Sequence, residues 1–423
     1  MMRKPLVAFL AAMLVLAALG AAAHPLQAEA AAPDATKNIA ACLQPFVEKN
    51  GVSGAVVLVA TKEKVLGVGA VGYADVAAKK PMQTETVFWI ASQTKPITAT
   101  ALMMLVDEGK VGIDDPIEKY LPEFKGQMVV AEQDADHMLL KKPGHPITVK
   151  EVLSHTSGLP FLSKQEGGKI DALTLREAIF TYALAPLKFE PGSKYEYSNC
   201  GINVAGRIIE VVSGMPYEEF MDKRLFKPLG MKDTTFWPTE EQVGRLAKNY
   251  KANAAKSGLE EAPIGYMTYP LTDHRRGVCP GGGLFSTAAD VGSFCRMILA
   301  GGIYEGKRYV SETSIRVMTS TQTGKDEGGY GLGWATTRRM RGPTDPVIVG
   351  ECSHGGACAT DMRIDPARQI VTVLMVQRPD MPGPDGGAIR AAVSKAAAEF
   401  ARRGPPAPAS AGPPPEVHAG AAP

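Results

Sequence analysis

One segment, Thr94 to Val106, sets the strictest condition on how this chain can fold, because most of its side chains are apolar or small. A helix without a polar face must be surrounded by other elements, since a surface helix shows only one apolar stripe. Gly109 is a natural stop for this helix. The sequence therefore predicts a helix inside a large core, and 423 residues, 45% of them hydrophobic, supply enough chain to surround it.

Strand patterns lie towards both ends of the chain. Gly54 to Ala60 and Val65 to Tyr73 predict a hairpin, preceded by a helix from Ala35 to Asn50 that Pro45 should kink or split. The later strand candidates are Tyr330 to Thr336, Ile348 to His354, Ala359 to Ile364 and Ile370 to Gln377, and a closing helix is predicted from Gly387 to Arg403.

Capping patterns place helices in the middle third. Thr148 and Glu151 form a capping box for a helix ended by Gly158. Ser198 or Asn199 caps a helix over Ile202 to Val212, and a helix from Thr287 runs to Gly301. We therefore expect an α/β fold of the α+β type, in which an antiparallel sheet from both chain ends is flanked by N- and C-terminal helices and carries an inserted helical lobe.

The two termini differ in composition from the rest. Arg3 and Lys4 followed by an apolar run predict that residues 1–30 are an export signal, cleaved after Ala23 or Ala30, and an uncleaved anchor helix is the alternative. Residues 404–423 are mostly Pro, Ala and Gly, which predicts a disordered tail. Cleavage would leave a periplasmic or secreted protein without a stable membrane anchor.

The charge balance and the spacing of Cys and His residues limit the classes of partner and ligand expected for this chain. Lys and Arg number 46 against 44 Asp and Glu, a formal net charge of +2, so nucleic acid is a poor candidate partner. Neither Cys-x-x-Cys nor His-Glu-x-x-His occurs, and no metal site is predicted.

Disulfides persist outside the cytoplasm, and we hypothesise that two of the four cysteines beside the motifs below form a disulfide. The four are Cys200, Cys279, Cys352 and Cys358.

The first candidate chemical motif opens the apolar helix. Ser92 and Lys95 form the only Ser-x-x-Lys in the chain, and residues three apart share a helix face. A lysine desolvated by apolar neighbours has a lowered pKa and can take the serine proton. The backbone N–H of Ser92, at the helix start, can face a developing oxyanion. A simple helix cap at Ser92 is the alternative.

Two further motifs follow. Tyr197 and Asn199 form the only Tyr-x-Asn in the chain. A tyrosine phenol near an ammonium can transfer a proton, and an asparagine amide can bind a substrate carbonyl. His354 begins a His-Gly-Gly segment at the end of a predicted strand, where glycines let a substrate lie against the strand edge. The alternative for the Tyr-x-Asn motif is a packed tyrosine with an asparagine that caps a helix. The alternative for the His-Gly-Gly segment is a β-bulge beside a buried histidine.

In this order the three motifs resemble the serine penicillin-recognising family: class C β-lactamases, D-alanyl-D-alanine peptidases and related esterases. The resemblance covers nearly all of residues 31–403, which it implies to be a catalytic domain with a sheet lobe from 31–90 and 285–403 and a helical lobe from 91–284. The family-like stretches also include Leu153 to Leu159, Pro280 to Leu284 and Tyr330 to Trp334.

The resemblance implies an acyl-enzyme mechanism that needs no cofactor. Ser92 would be the nucleophile and Lys95 with Tyr197 the acid/base pair. Asn199 and the segment His354-Gly355-Gly356-Ala357 would bind a small-molecule or peptide substrate, with the amides of Ser92 and Ala357 as the oxyanion hole. His155, in a family-like stretch, is interpreted as structural, because capping explains a polar residue near Gly158.

One departure from the family pattern bears on the substrate. His354 stands where class C β-lactamases have a lysine, and histidine is mostly neutral at pH 7, so efficient β-lactam hydrolysis is less expected than hydrolysis of an ester or D-peptide. A class C β-lactamase, an acyltransferase and a non-catalytic binding protein with the same fold remain the alternatives.

Overall fold

The structure is a computed structural model. It describes residue 39 and residues 41–324, 329–336, 350–381 and 383–403. The predicted signal (1–30), the start of the predicted N-terminal helix, the start of the predicted strand 348–354 and the predicted tail (404–423) lie outside the described residues.

The described chain contains both strands and helices. The strands are β1 (Gly54–Ala60), β2 (Val65–Asp75), β3 (Lys80–Pro81), β4 (Phe88–Trp89), β5 (Val129–Gln133), β6 (Met138–Lys141), β7 (Asn249–Ala252), β8 (Leu259–Ala262), β9 (Phe285–Ser286), β10 (Ile303–Tyr304), β11 (Lys307–Arg308), β12 (Ala335–Thr336), β13 (Cys352–Gly355), β14 (Asp361–Asp365) and β15 (Ile370–Met375). The α-helices are α1 (Gln44–Glu48), α2 (Thr94–Asp107), α3 (Val149–Leu153), α4 (Leu175–Leu184), α5 (Asn199–Ser213), α6 (Tyr217–Met221), α7 (Glu240–Gly244), α8 (Ala288–Leu299), α9 (Glu312–Thr319) and α10 (Gly383–Arg403).

Both chain ends build the main sheet, as predicted. Its seven strands run β12-β13-β14-β15-β1-β2-β3, and every pairing is antiparallel. The centre joins β1 to β15, with Val56 opposite Met375. Because the first and the last strand are direct neighbours, the sheet is complete only when both ends of the chain are in place.

The apolar helix is buried on all sides, which confirms its prediction. Every residue of α2 from Thr94 to Leu105 is buried. One continuous core surrounds it, with side chains from the sheet, such as Leu58, and from the helices, such as Ile202 and Val291.

The middle of the chain contains strands that the sequence did not reveal. The hairpins β5–β6 and β7–β8 lie where only helices and loops were expected. The strand predicted over Tyr330 to Thr336 is reduced to β12, because Gly333 adopts a φ of +77° and turns the chain. The capping box of Thr148 is confirmed, but its helix ends at Leu153, well before Gly158.

The disulfide hypothesis is wrong. All six cysteines are free thiols, five of them buried. Burial raises the pKa of Cys279 to about 12 and that of Cys358 to about 12, so these thiols stay protonated near neutral pH. They act as small core side chains.

Two properties of the described residues bear on ligands and membranes. No helix in this part of the chain is both long and apolar enough to span a bilayer. Within the same residues, His, Cys, Asp and Glu side chains form no cluster of three or more that could hold a metal ion.

Candidate active site

A strained turn leads from β4 into α2 and carries Ser92. Ala91 has a φ of +45°, a left-handed conformation that is costly for a residue with a Cβ. Residues Ala91 to Gln93 form a 3₁₀ turn that continues directly into α2. The Ile90 amide donates to the Leu284 carbonyl (3.0 Å), which fixes the start of the turn. Ser92 is therefore presented, half-buried, at the N-terminus of the central helix.

Lys95 lies one turn further along α2 and is fully buried. Its Nζ is 3.1 Å from Ser92 Oγ, 2.6 Å from Asn199 Oδ1 and 2.6 Å from the Gly281 carbonyl oxygen. The amide and carbonyl oxygens can only accept hydrogen bonds. A neutral amine has two hydrogens, which these two oxygens take, so its lone pair is left to face Ser92 Oγ.

The environment of Lys95 favours this neutral amine. Burial lowers its pKa to about 7, because a charged ammonium loses its hydration in the core. A lysine with its usual pKa would be almost fully charged at neutral pH and could not accept a proton. At this site the amine is available as a base near pH 7.

The Tyr-x-Asn motif meets Lys95 at the start of α5. Ser198 caps this helix by accepting a hydrogen bond from the Gly201 amide (3.0 Å), which places Asn199 in the first turn. Lys95 Nζ lies 4.5 Å from the centre of the Tyr197 ring. The structure therefore brings Tyr197 and Asn199 to the same amine, although they are about a hundred residues from it in sequence.

The His-Gly-Gly segment lies against the other side of the Ser92 turn. A Cβ added to Gly356 would be 2.5 Å from the Ile90 carbonyl oxygen, so only glycine permits this close approach. Thr360 Oγ1 also donates to that carbonyl (3.4 Å). Ala357 follows in an exposed turn at the end of β13.

His354 makes contacts on both sides of its ring. Its Nδ1 is 2.8 Å from the Gly355 carbonyl oxygen, and this nitrogen must carry a hydrogen because a carbonyl only accepts. Its Nε2 is 3.0 Å from Tyr330 Oη. The Tyr197 ring centre is 6.3 Å from that of His354. The third motif thus borders the same site as the first two.

Gly281 contacts the lysine, although the sequence analysis assigned it no individual role. Its amide donates to Asn203 Oδ1 (2.9 Å), while its carbonyl accepts from Lys95. The family-like stretch Pro280 to Leu284 was the available signal, but nothing in its composition identifies a carbonyl that faces the lysine.

His155 also lies in the site, and the helix capping that its structural interpretation assumed is not found. Its Nδ1 accepts a hydrogen bond from the Ser198 amide (3.2 Å) and contacts no carbonyl of α3. The ring is fully buried, with its centre 4.5 Å from that of Tyr197. Tertiary packing alone brings this histidine to the Tyr-x-Asn segment.

Comparison with known proteins shows the family to which the chain belongs. A family profile described as Beta-lactamase matches residues 39–397, and the chain belongs to this family. Protein Rv1367c of Mycobacterium tuberculosis (strain ATCC 25618 / H37Rv) is 32% identical over 358 residues, covering 78% of this chain and 87% of the relative. Esterase EstB of Burkholderia gladioli is 30% identical over 327 residues, covering 72% and 79%.

A solved structure supports the fold. The protein described as EstCE1, a hydrolase with promiscuous acyltransferase activity, superimposes with a TM-score of 0.71 at 28% sequence identity. The match covers 84% of this chain and 97% of that one. The family is one of serine hydrolases, and its fold is the mixed α/β architecture with a central antiparallel sheet described above.

Proposed function

We propose that this protein is a serine hydrolase that forms an acyl-enzyme on Ser92 and acts on an ester or a D-amino-acid-type amide. The observation that carries the proposal is the Lys95 amine, which is fully buried, bound to two acceptors and directed at Ser92 Oγ at 3.1 Å. A helix cap at Ser92 would need no such base.

The reaction follows from these positions. Lys95, coupled to Tyr197, takes the Ser92 hydroxyl proton as Oγ bonds to the substrate carbonyl carbon. The amides of Ser92 and Ala357 stabilise the negative oxygen that forms. The tetrahedral intermediate then expels the alcohol or amine, which receives the proton, and water releases the acid from Ser92 by the same steps. Asn199 is proposed to orient the substrate through its amide nitrogen, since its oxygen binds Lys95.

We favour an ester with an apolar group over a substrate recognised by its carboxylate. His354 replaces the permanent cation of a lysine, and apolar side chains pack on one side of the Ser92 turn. On that side, Ile170 packs in a cluster with Ala91 and Trp89. Two half-exposed aromatic rings border it: Phe161, stacked on Tyr197 with centres 6.2 Å apart, and Tyr266, 6.3 Å from Trp89. Such rings favour aryl or alkyl groups.

Rates on three substrates test this preference. A short-chain aryl ester should be turned over with a higher kcat/KM than a chromogenic cephalosporin or a D-alanyl-D-alanine peptide. Faster turnover of the cephalosporin than of the ester would overturn this preference and favour a β-lactamase. Faster turnover of the peptide would favour a peptidase.

Acyl transfer is the second candidate function, supported by the 28% identical solved structure described as a hydrolase with promiscuous acyltransferase activity. The acyl-enzyme would then react with an alcohol or amine in place of water. Product analysis with added alcohols separates the two, because hydrolysis alone leaves the alcohol unmodified.

Covalent labelling tests the nucleophile. A fluorophosphonate should add one adduct to the protein, located at Ser92 by peptide mass spectrometry, and Ser92→Ala should abolish both the adduct and ester hydrolysis. Ser320→Ala changes an exposed serine in the same way and should label as the parent does. A Ser92→Ala protein that is labelled and active like the parent would favour a non-catalytic role for this site.

We also propose that the protein is exported to the periplasm or secreted. The support is the sequence of its first 30 residues alone. N-terminal sequencing of protein recovered outside the cytoplasm should find a start after Ala23 or Ala30.

A further inference from the structure

We propose that His155 is a positioning residue that holds Tyr197 in place beside Lys95 and Ser92. The inference rests on the proposed function, because it assigns His155 a role through the proposed acid/base tyrosine. His155 itself is not proposed to touch the substrate.

The first support is a pair of hydrogen bonds on either side of Tyr197. The backbone carbonyl of His155 accepts from the Glu196 amide (2.9 Å), and its Nδ1 accepts from the Ser198 amide (3.2 Å). One residue thus binds the backbone amides of both residues that flank Tyr197. Together the two bonds restrain the chain around the tyrosine.

The second support is ring packing. The His155 ring centre is 4.5 Å from that of Tyr197 and 4.6 Å from that of Tyr330. Tyr330 Oη is in turn 3.0 Å from His354 Nε2. The imidazole therefore lies between the Tyr-x-Asn segment and the residues around His354, and it restrains the direction in which the Tyr197 ring can point.

The third support is that the position of His155 is unfavourable in two respects, its backbone conformation and an unsatisfied ring nitrogen. His155 has a φ of +61°, which is unfavourable for a residue with a Cβ. Its buried Nε2 has no hydrogen-bond partner among the described residues. An apolar side chain would fill the space without burying an unsatisfied nitrogen, but it could not accept the hydrogen bond from the Ser198 amide.

The imidazole must be neutral to play this part. A backbone amide only donates, so Nδ1 has to keep its lone pair. Burial, together with the nearby Lys95 and His354, holds the pKa of His155 well below its ordinary value. The neutral ring also adds no positive charge beside the amine of Lys95.

Two substitutions separate the hydrogen bond from the backbone conformation. Asparagine and glycine both tolerate a positive φ. His155→Asn offers an oxygen acceptor near the position of Nδ1, whereas His155→Gly offers neither acceptor nor ring. We expect His155→Gly to lower kcat on an aryl ester on the order of 100-fold with little change in KM, and His155→Asn to recover part of this loss. His274→Asn makes the same change at an exposed histidine and should leave kcat unchanged.

A double-mutant cycle with Tyr197→Phe decides whether His155 acts through the tyrosine. If it does, His155→Asn should change kcat by less than about twofold in the Tyr197→Phe background, because the hydroxyl that it positions is absent. An equal loss in both backgrounds would overturn the inference, as would a His155→Gly protein with the kcat of the parent. All assays are run below the melting temperature of each variant, so that only folded protein is compared.

The cycle also distinguishes this inference from the proposed function. If Tyr197→Phe alone keeps the activity of the parent, the proposed role of Tyr197 fails, and the role of His155 with it. If Tyr197→Phe is impaired but the effects multiply, only the inference about His155 fails.

Discussion

Burial determines the chemistry of single residues in this site. Lys95 is the clearest case, since the same side chain on the surface would be a permanent cation. In the core it loses its hydration, and its pKa falls to about 7. The oxygens of Asn199 and Gly281 then fix how the amine is turned.

The pH dependence of acylation should follow this pKa. Below about pH 7 the ammonium of Lys95 has no lone pair, so the rate of acylation should rise with pH through about 7 and level off above it. The rate of fluorophosphonate labelling against pH measures this. A flat profile between pH 6 and 9, a range of roughly one unit below to two units above that pKa, would contradict Lys95 as the base.

Replacing Lys95 tests the same point directly. Lys95→Met removes the base and should lower kcat/KM about 10²- to 10⁴-fold. Lys95→Arg should lose as much, because a guanidinium stays charged at any accessible pH. Far-UV circular dichroism should show that Lys95→Met remains folded, since methionine buries no polar group. Activity within tenfold of the parent in Lys95→Met would be evidence against the mechanism.

At the level of elements, the site depends on how closely β13 approaches the turn before α2. Gly356 permits this approach, because a Cβ there would meet Thr360 Oγ1 at 2.1 Å and the Ile90 carbonyl at 2.5 Å. The two elements could not stay at this distance with any larger residue.

A pair of substitutions in the same segment tests this contact. Gly356→Ala should push the segment away from the turn and lower kcat/KM on the order of 10- to 100-fold. Gly355→Ala should lose less, because its added Cβ would be 3.5 Å from the nearest neighbouring atom. Steady-state kinetics on an aryl ester measure both. Equal losses of kcat/KM in the two variants would show that activity does not depend on the close approach at Gly356.

At the level of the whole molecule, sheet and helices share one core. Leu58 in β1 packs against Gly292 in α8, where an added Cβ would be 2.9 Å from the leucine side chain. The same cluster continues through α2 to α5. We therefore expect the sheet and the helical region to unfold together.

Truncation of this core side chain tests that expectation. Leu58→Ala should lower the free energy of unfolding by about 2–5 kcal/mol, whereas Leu184→Ala, at a leucine that is 85% exposed, should change it by less than about 0.5 kcal/mol. Urea unfolding followed by tryptophan fluorescence and by far-UV circular dichroism should give coincident transitions. Two separate transitions would show that the regions are independent.

The sequence by itself determined the elements whose signals are local. The apolar composition of Thr94 to Leu105 required a buried helix, the capping box of Thr148 was found as predicted, and the end strands form one sheet. The order of Ser-x-x-Lys, Tyr-x-Asn and His-Gly-Gly identified the family, which the profile over residues 39–397 confirms. The helix and the capping box depend on neighbours within a few residues, and the family on motif order. The single sheet was inferred from strand signals at both ends of the chain.

Only the tertiary structure decided how distant residues meet. The carbonyl of Gly281 reaches Lys95, and the ring of His155 holds the chain beside Tyr197, through contacts that no local pattern encodes. The cysteines near the motifs suggested a disulfide, yet they are separate buried thiols. Distances between atoms far apart in the chain are fixed by packing, and packing also sets the desolvation that lowers the pKa of Lys95.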